Sequence, residues 1–390
     1  MTPAARSQAA IDILDAVIDA ARGGGAAADT IVARYFATRR YAGSKDRRAV
    51  RELVYAAIRR AGEIPASGRA ALIGLAADDD AIAATFDGSD RGPAVIDPGE
   101  PVAAAGAMPA WLGAALAVSG VTASDQAALV GRAPLDVRVN RLKADVAEIA
   151  AQTGGEAIPG LPDALRLSAG TNVEPLAGAV EVQDAGSQIV SLAARAMPGQ
   201  RIVDLCAGGG GKTLALAAAM DNRGELIATD VDRARLSRLA PRAEKAGVTI
   251  AQPVLLDAGR EAAVLSAWEG SADTVLVDAP CSGTGTWRRN PEARWRLTPQ
   301  RLDRFVQQQR HVMGLAAPLV RPGGALVYIV CSLLDAEGAA QVEAFLQHFP
   351  DWRAEPLSLP AGQPRGQGLR LDPAHDGTDG FFVARLIRLC

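Results

Sequence analysis

Ile202-Val203-Asp204-Leu205-Cys206-Ala207-Gly208-Gly209-Gly210-Gly211-Lys212-Thr213 is the stretch that decides the fold. A short β-branched and apolar run ends at Asp204. Four consecutive glycines follow, and Leu214–Met220 then reads as a helix. Strand, glycine turn and helix together open a nucleotide-binding βα unit. Glycine serves there because the turn is tight and a ligand must approach the backbone closely. The helix start then offers unpaired N–H groups to that ligand.

Three ligand readings compete for this loop. A P-loop is suggested by Gly211-Lys212-Thr213, but it needs a glycine where Cys206 stands. A dinucleotide fingerprint is suggested by Gly208-x-Gly210, but its third glycine is replaced by Thr213. An S-adenosylmethionine loop needs no phosphate cradle and meets no such obstacle. A glycine-rich turn without a ligand is the remaining alternative, so the decision rests on the rest of the chain.

The length of 390 residues fits roughly two or three domains with a large core. The net charge of −3 does not advertise a polyanion partner. Local charge differs: Arg34–Arg60 carries nine Lys/Arg and Arg288–Arg310 carries seven Arg, each against two acids. Such stretches are either a polyanion footprint or solvated helix faces. The four cysteines, Cys206, Cys281, Cys331 and Cys390, form no C-x-x-C pair, and no metal-ligand spacing occurs. Asp12, Asp15 and Asp19 stand where a signal peptide would be apolar, and no apolar run is long enough to span a membrane. These features predict a soluble, cytoplasmic protein without a metal or a membrane partner; a monomer is the expected state.

Residues 5–62 read as helices. Ile11, Leu14, Val17 and Ile18 form one apolar face, and a second helix covers about Asp29–Arg39. Ser44 is the expected cap of a third, whose face is Val50, Leu53, Val54, Ala57 and Ile58. Residues 63–133 continue as short helices, broken by a loop over Asp87–Pro101. Leu135–Asn140 and Ala164–Leu167 read as strands around a helix at Asp145–Thr153. From Val180 strands and helices alternate. Core strands are expected at Ile202–Cys206, Glu225–Asp230, within Val248–Asp257, at Asp273–Asp278 and at Ala325–Val330. A helix is expected over Arg233–Ala246 and another over Pro299–Val320, followed by a Pro322-Gly323-Gly324 turn. A late strand falls at Phe381–Leu389. The division is therefore 1–133 all-α, 134–178 a small α/β connector, and 179–390 an α/β domain.

Asp230, Asp257 and Asp278 each end a predicted strand, the edge where open α/β sheets bind ligands. One such acid is ordinary capping chemistry. Three in register with a glycine loop point to a ligand, and an acid after the second strand suits ribose hydroxyls. Asp278-Ala279-Pro280-Cys281 puts a carboxylate, a rigid proline and a thiol together. Cys331-Ser332 ends the next strand, which brings both thiols into one pocket. Either cysteine alone is ordinary core; the pair beside a carboxylate favours chemistry.

These residues carry a resemblance. Asp204-Leu205-Cys206 with Gly210-Gly211-Lys212-Thr213, Asp278–Cys281 and Cys331-Ser332 resemble the Sun/Fmu-type RNA 5-methylcytosine methyltransferases. Gln183-Asp184, Ser187-Gln188, Arg289-Asn290-Pro291, Trp295 and Asp379-Gly380-Phe381-Phe382 match further motifs of that family. Arg138-Val139-Asn140 and Lys143 are similar to the connector of its small-subunit ribosomal RNA branch. Asp46-Arg47-Arg48 and Glu52-Leu53-Val54-Tyr55 are similar to that branch's NusB-like RNA-binding domain. Gly208-Gly209 replaces the usual Ala-Pro, Val330 the usual Thr before the nucleophile, and Gly338 a common Asn.

The resemblance implies a class I, Rossmann-like S-adenosylmethionine-dependent methyltransferase domain behind an all-α NusB-like domain. It implies methyl transfer to C5 of a cytosine in RNA, with 16S ribosomal RNA as the expected target. Cys331 would attack C6, Asp278 would hydrogen-bond N3 of the base, and Cys281 would assist loss of the C5 proton and release of Cys331. Cys206, Ala207, Gly208, Gly209, Gly210, Gly211 and Lys212 would wrap the cofactor, with Asp278 beside them. Asp230 would take ribose and Asp257 the adenine amino group. An RNA-binding assembly factor with an inactive methyltransferase fold is the alternative.

Overall fold

The computed structural model describes residues 1–389; Cys390, the last residue of the expected α/β domain, lies outside the described residues. The chain divides into two compact units. One comprises Met1–Arg132 together with Thr286–Thr298, and the other Ala133–Gly285 together with Pro299 onward.

The first unit is helical. Pro3–Gly23 starts at Thr2, whose side chain accepts from Ala5 N, and stops at Gly24 in the left-handed region. Its buried Ile13, Leu14, Val17 and Ile18 share a core with Val50, Val54 and Ile58 of the helix Ser44–Arg60. The expected Ser44 cap is not formed. Ser44 is the first helical residue, and the extended Gly43 before it offers no side chain. Met1 and Arg6 instead tie the first turn through Asp46.

Thr286–Thr298 is far away in sequence, yet it supplies this unit with helix caps. The helix Ala28–Ala37 has no side-chain cap of its own. Glu292 Oε1 accepts from Ala28 N at 2.9 Å and fills that place. The helix Ser44–Arg60 ends in carbonyls that its own turns cannot satisfy. Arg294, fully buried, donates to the carbonyls of Ile58 at 2.6 Å, Arg59 at 3.2 Å and Ala61 at 2.7 Å. Trp295 Nε1 adds a bond to Ala61 O at 3.1 Å. The acid sits at a helix start and the cation at a helix end, as the helix dipole favours.

The second unit is built on a nine-stranded sheet among the described residues. Its strands are β1 (Arg201–Asp204), β2 (Glu225–Asp230), β3 (Ala251–Leu255), β4 (Ala272–Asp278), β5 (Val320–Val330), β6 (Trp352–Glu355), β7 (Gln363–Arg365), β8 (Gly368–Leu371) and β9 (Phe381–Arg388). The order is β7-β8-β9-β5-β4-β1-β2-β3, with β6 pairing β9. Strands β1 to β5 run parallel, while β9 pairs antiparallel with β5. Alternate residues bury opposite faces. Ile202, Leu226, Leu276 and Val327 pack in one core; Val203, Ile227, Val275, Val277 and Leu326 pack in the other. Burial on both faces explains why these strands read as unbroken apolar runs. Ahead of them, Leu135–Val139, Glu156–Ala157, Ala164–Leu167 and Val180–Val182 form a separate four-stranded antiparallel sheet.

Three sequence expectations need correction here. The helix over Arg233–Ala246 is two helices, Arg233–Leu236 and Leu239–Ala246. Pro241 lacks the N–H that would bond Ser237 O, and its ring crowds that carbonyl, so a continuous helix fails there. The Pro322-Gly323-Gly324 turn is instead a bulge within β5, where the register shifts between Ala272 and Thr274. The helix from Pro299 ends at Ala316, with a 3-10 turn over Ala317–Leu319.

Candidate active site

The order β4-β1-β2 makes β1 the switch point of the sheet, because the chain leaves it first to one side and later to the other. Ligands of open α/β sheets bind in the crevice beyond the strand ends at that point. The glycine loop leaves β1 there. Gly210, at φ +85°, is the left-handed cap of the helix Gly211–Ala219. That φ favours glycine, and a Cβ there would also crowd Leu239, whose Cδ1 it would approach to 2.3 Å. The helix starts three residues earlier than its apolar pattern indicated, which places Lys212 and Thr213 in its first turn.

The loop is held from beneath and open above. Gly208 N donates to Asp230 Oδ2 at 2.8 Å, and Asp232 N donates to Asp230 Oδ1 at 2.7 Å. Arg242 donates to Gly209 O. A Cβ on Gly208 or Gly211 would meet nothing within 4 Å. This exposed backbone, a helix N-terminus and a carboxylate at the end of β2 are groups that fit S-adenosylmethionine. Asp257 lies two residues beyond β3 and is exposed, rather than at the strand end itself. Cys206 is half-buried. Burial and the carboxylates of Asp230, Asp204 and Asp278 push its thiol up, so it stays protonated.

Asp204 ends β1 wholly buried. Its Oδ2 accepts from Thr213 Oγ1 at 2.6 Å, and its Oδ1 has no partner. Burial pushes the carboxyl up to about 7, against the Thr213 bond that favours its charged form. The unfolded chain releases this proton near the ordinary value of about 4. Between about pH 4 and pH 7 the native state therefore binds more protons, and this group's contribution to stability falls as pH rises through that window. Asp204→Asn removes the titration. Urea unfolding midpoints should show the variant gaining on the native protein from pH 5 to pH 8; parallel pH profiles would contradict the assignment.

Cys281 and Cys331 are brought together by strand pairing. Strands β4 and β5 are parallel neighbours, with Asp278 opposite Ile329, so both thiols emerge from adjacent strand ends. Their Sγ atoms are 3.3 Å apart and both are free. The bond to Cys331 and burial push the Cys281 thiol well above its usual range. Gly285 N donates to Cys331 O at 3.0 Å, and Gly380 N donates to Gly285 O at 2.8 Å. A Cβ on Gly285 would stand 2.0 Å from Gly380 O, so these backbones touch only because both residues are glycine. Asp379 N in turn bonds Asp184, which caps the helix Ala185–Ser191.

Lys212 is the cation of the site. Its ammonium is buried and lies 2.7 Å from Asp278 Oδ2 and 5.6 Å from the centre of the Phe381 ring. Burial opposes its charge, but Asp278 outweighs that cost, and its pKa is raised. Its side chain therefore faces Asp278 rather than the open side of the glycine loop.

Sequence reasoning missed Glu337. It is fully buried and accepts from Ser282 and Ser332, the residues that follow the two cysteines. The repeated Cys-Ser pair was the one available signal. The sequence also showed Arg288–Arg310 as a basic stretch, either a polyanion footprint or a solvated helix face. Part of it is not a solvated face: Arg288 and Arg294 are buried, and Arg296 donates to the carbonyls of Gly25 and Ala26.

Solved structures share this architecture. The protein named PH0851 superposes over 99% of this chain and 99% of its own, at TM-score 0.77 and 24% identity. A methyltransferase homolog protein from Pyrococcus horikoshii covers 72% of this chain and 100% of its own, at TM-score 0.60 and 25% identity. The fold is that of a Rossmann-like methyltransferase. Residues 191–387, half of the chain, match the family described as 16S rRNA methyltransferase RsmB/F, and the chain belongs to that family. It is similar to the probable ribosomal RNA small subunit methyltransferase B of Synechocystis sp., at 37% identity over 65% of this chain and 59% of that protein. The chain thus spans about three fifths of the length of the curated relatives it matches.

Proposed function

We propose that this chain methylates C5 of a cytosine in RNA, with 16S ribosomal RNA as the target, through a covalent adduct between Cys331 and C6. The observation that carries this reading is the pair of free thiols 3.3 Å apart, beside the Lys212–Asp278 ion pair. S-adenosylmethionine, when bound, supplies an electrophilic methyl group. C5 of cytosine is a poor nucleophile, and addition of a thiolate at C6 makes it enamine-like. Attack requires the thiolate form of Cys331. Asp278, held by Lys212, hydrogen-bonds N3 and steadies a proton there as charge builds on the ring. Cys281 would assist the last step: its thiol proton passes to the departing Cys331 sulfur 3.3 Å away, and the Cys281 sulfur takes the C5 proton in exchange. The target base must be unpaired or flipped to reach this pocket.

In this reading residues 1–133 are a NusB-like RNA-binding module, 134–178 a connector and 179–390 the catalytic domain. Support comes from exposed Arg34, Arg40, Lys45, Arg47, Arg48 and Arg51, and from arginine–aromatic contacts. Arg39 lies 3.6 Å over the Tyr35 ring, and Arg51 and Arg59 each lie 5.5 Å from that of Tyr55. Cations beside aromatic faces suit phosphate and base contacts. Among the described residues no helix is long and apolar enough to cross a membrane.

Bisulfite sequencing of ribosomal RNA from a deletion strain tests the whole reading: one protected cytosine should lose protection and regain it on complementation. Unchanged protection across 16S RNA would overturn the assigned target. The cofactor assignment has its own test. Asp230→Ala removes the acceptor for Gly208 N and the proposed ribose partner. It should weaken S-adenosylmethionine binding by about 1–3 kcal/mol and leave RNA affinity nearly intact. Calorimetry returning native cofactor affinity would refute it.

A further inference from the structure

The two thiols reach their spacing by unequal means. Cys331 follows the last residue of β5, whose Val330 is paired with Phe382 of β9. The sheet therefore fixes it. Cys281 lies in the loop after Pro280, outside any strand. Before it, Gln309 Nε2 donates to Pro280 O at 3.0 Å; after it, Glu337 ties the loop at Ser282. Its Oε1 accepts from Ser282 N at 2.8 Å and from Gln309 Nε2 at 3.0 Å. Its Oε2 accepts from the Ser282 hydroxyl and from Ser332 Oγ at 2.5 Å. Thr284 Oγ1 lies 3.1 Å from Ser332 Oγ and accepts from Leu333 N at 2.9 Å, closing the cluster. Glu337 is itself fixed by Tyr328, whose hydroxyl donates to its carbonyl at 2.6 Å. The backbone N–H and the amide both require an acceptor at Oε1, as a carboxylate provides. A buried carboxylate with every oxygen engaged is costly to place and rigid once formed.

We infer that Glu337 is the positioning residue for the two thiols: by gripping the serine after each cysteine it sets Cys281 against Cys331 for release of the product. Two of its bonds go to Ser282 and one to Ser332, so its loss loosens the Cys281 side more. Attack by Cys331 then survives, while the step that needs Cys281 fails. Its charge also faces Cys281 and adds to the influences that keep that thiol protonated. This inference rests on the covalent two-cysteine reading above.

The test uses the full chain with S-adenosylmethionine and substrate RNA, read by steady-state turnover and by the protein–RNA band on a denaturing gel. Glu337→Gln should lower turnover by about tenfold or more, the scale expected when a hydrogen bond to a charged group that orients a reacting group is lost. The covalent band should meanwhile rise above that of the native protein. Ser282→Ala should show the same band more weakly. Combined with Glu337→Gln it should add little, since both remove one tie. Lost turnover with no extra band overturns the inference, as does native turnover in Glu337→Gln. Cys281→Ala run in parallel separates the failures. If it links to RNA and Glu337→Gln does not, the thiol chemistry stands and the role of Glu337 falls. If neither links, the covalent reading falls and takes this role with it.

Discussion

Cys331→Ala should transfer no methyl group and leave no RNA adduct, whereas Cys281→Ala should remain attached to its RNA. The residue type is the same at both positions, so the difference must come from surroundings. Cys331 stands at the end of β5, within reach of the Lys212 ammonium. In the reading proposed above it is the attacking sulfur. Cys281 has a different setting: its bond to Cys331, burial, and the charges of Cys331 and Glu337 hold it as a thiol. Removing the attacking sulfur should lower the rate by several orders of magnitude, as loss of a nucleophile does in other covalent enzymes. Removing the second sulfur leaves attack intact and blocks release, so the band on a denaturing gel marks it. The reverse pattern would exchange the two roles. No band in either variant, with turnover retained in both, would sink covalent catalysis here.

The parts of this molecule that were legible in sequence are those set by local periodicity. Glu225–Asp230 and Ala164–Leu167 read correctly to the residue, because alternation and flanking turn residues are short-range properties. The two cysteines could be placed in one pocket because each followed a strand and the strands are consecutive in the parallel sheet. Illegible parts depend on partners distant along the chain. Nothing near Arg294 announces that its guanidinium caps a helix 236 positions earlier. Its neighbours Arg288 and Arg296 made it look like one more surface charge. Glu337 was equally hidden, since an acid between Ala336 and Gly338 carries no mark of burial until Ser282, Ser332 and Gln309 converge on it.

Arg294 carries the largest expected effect on stability. Burial lowers its pKa to about 10, so it remains charged at neutral pH, with carbonyl oxygens as its partners. Those oxygens belong to the end of Ser44–Arg60 and to Ala61, where no further helical turn exists to take them. Arg294→Met keeps the apolar stem and deletes the fork. Several buried carbonyls then lose a charged donor at once, and the expected loss is on the order of 3 kcal/mol or more. For a unit of this size that lowers the thermal midpoint by about 10 °C. Arg294→Lys should recover only a minor part, because one ammonium cannot span carbonyls that a planar five-donor fork reaches together. The loss should be local in origin, so amides in the last turn of Ser44–Arg60 should exchange with deuterium faster than those of β5. A midpoint within a degree of the native protein, with unchanged exchange at Ile58 through Ala61, would show that this buried arginine does not hold the helix end.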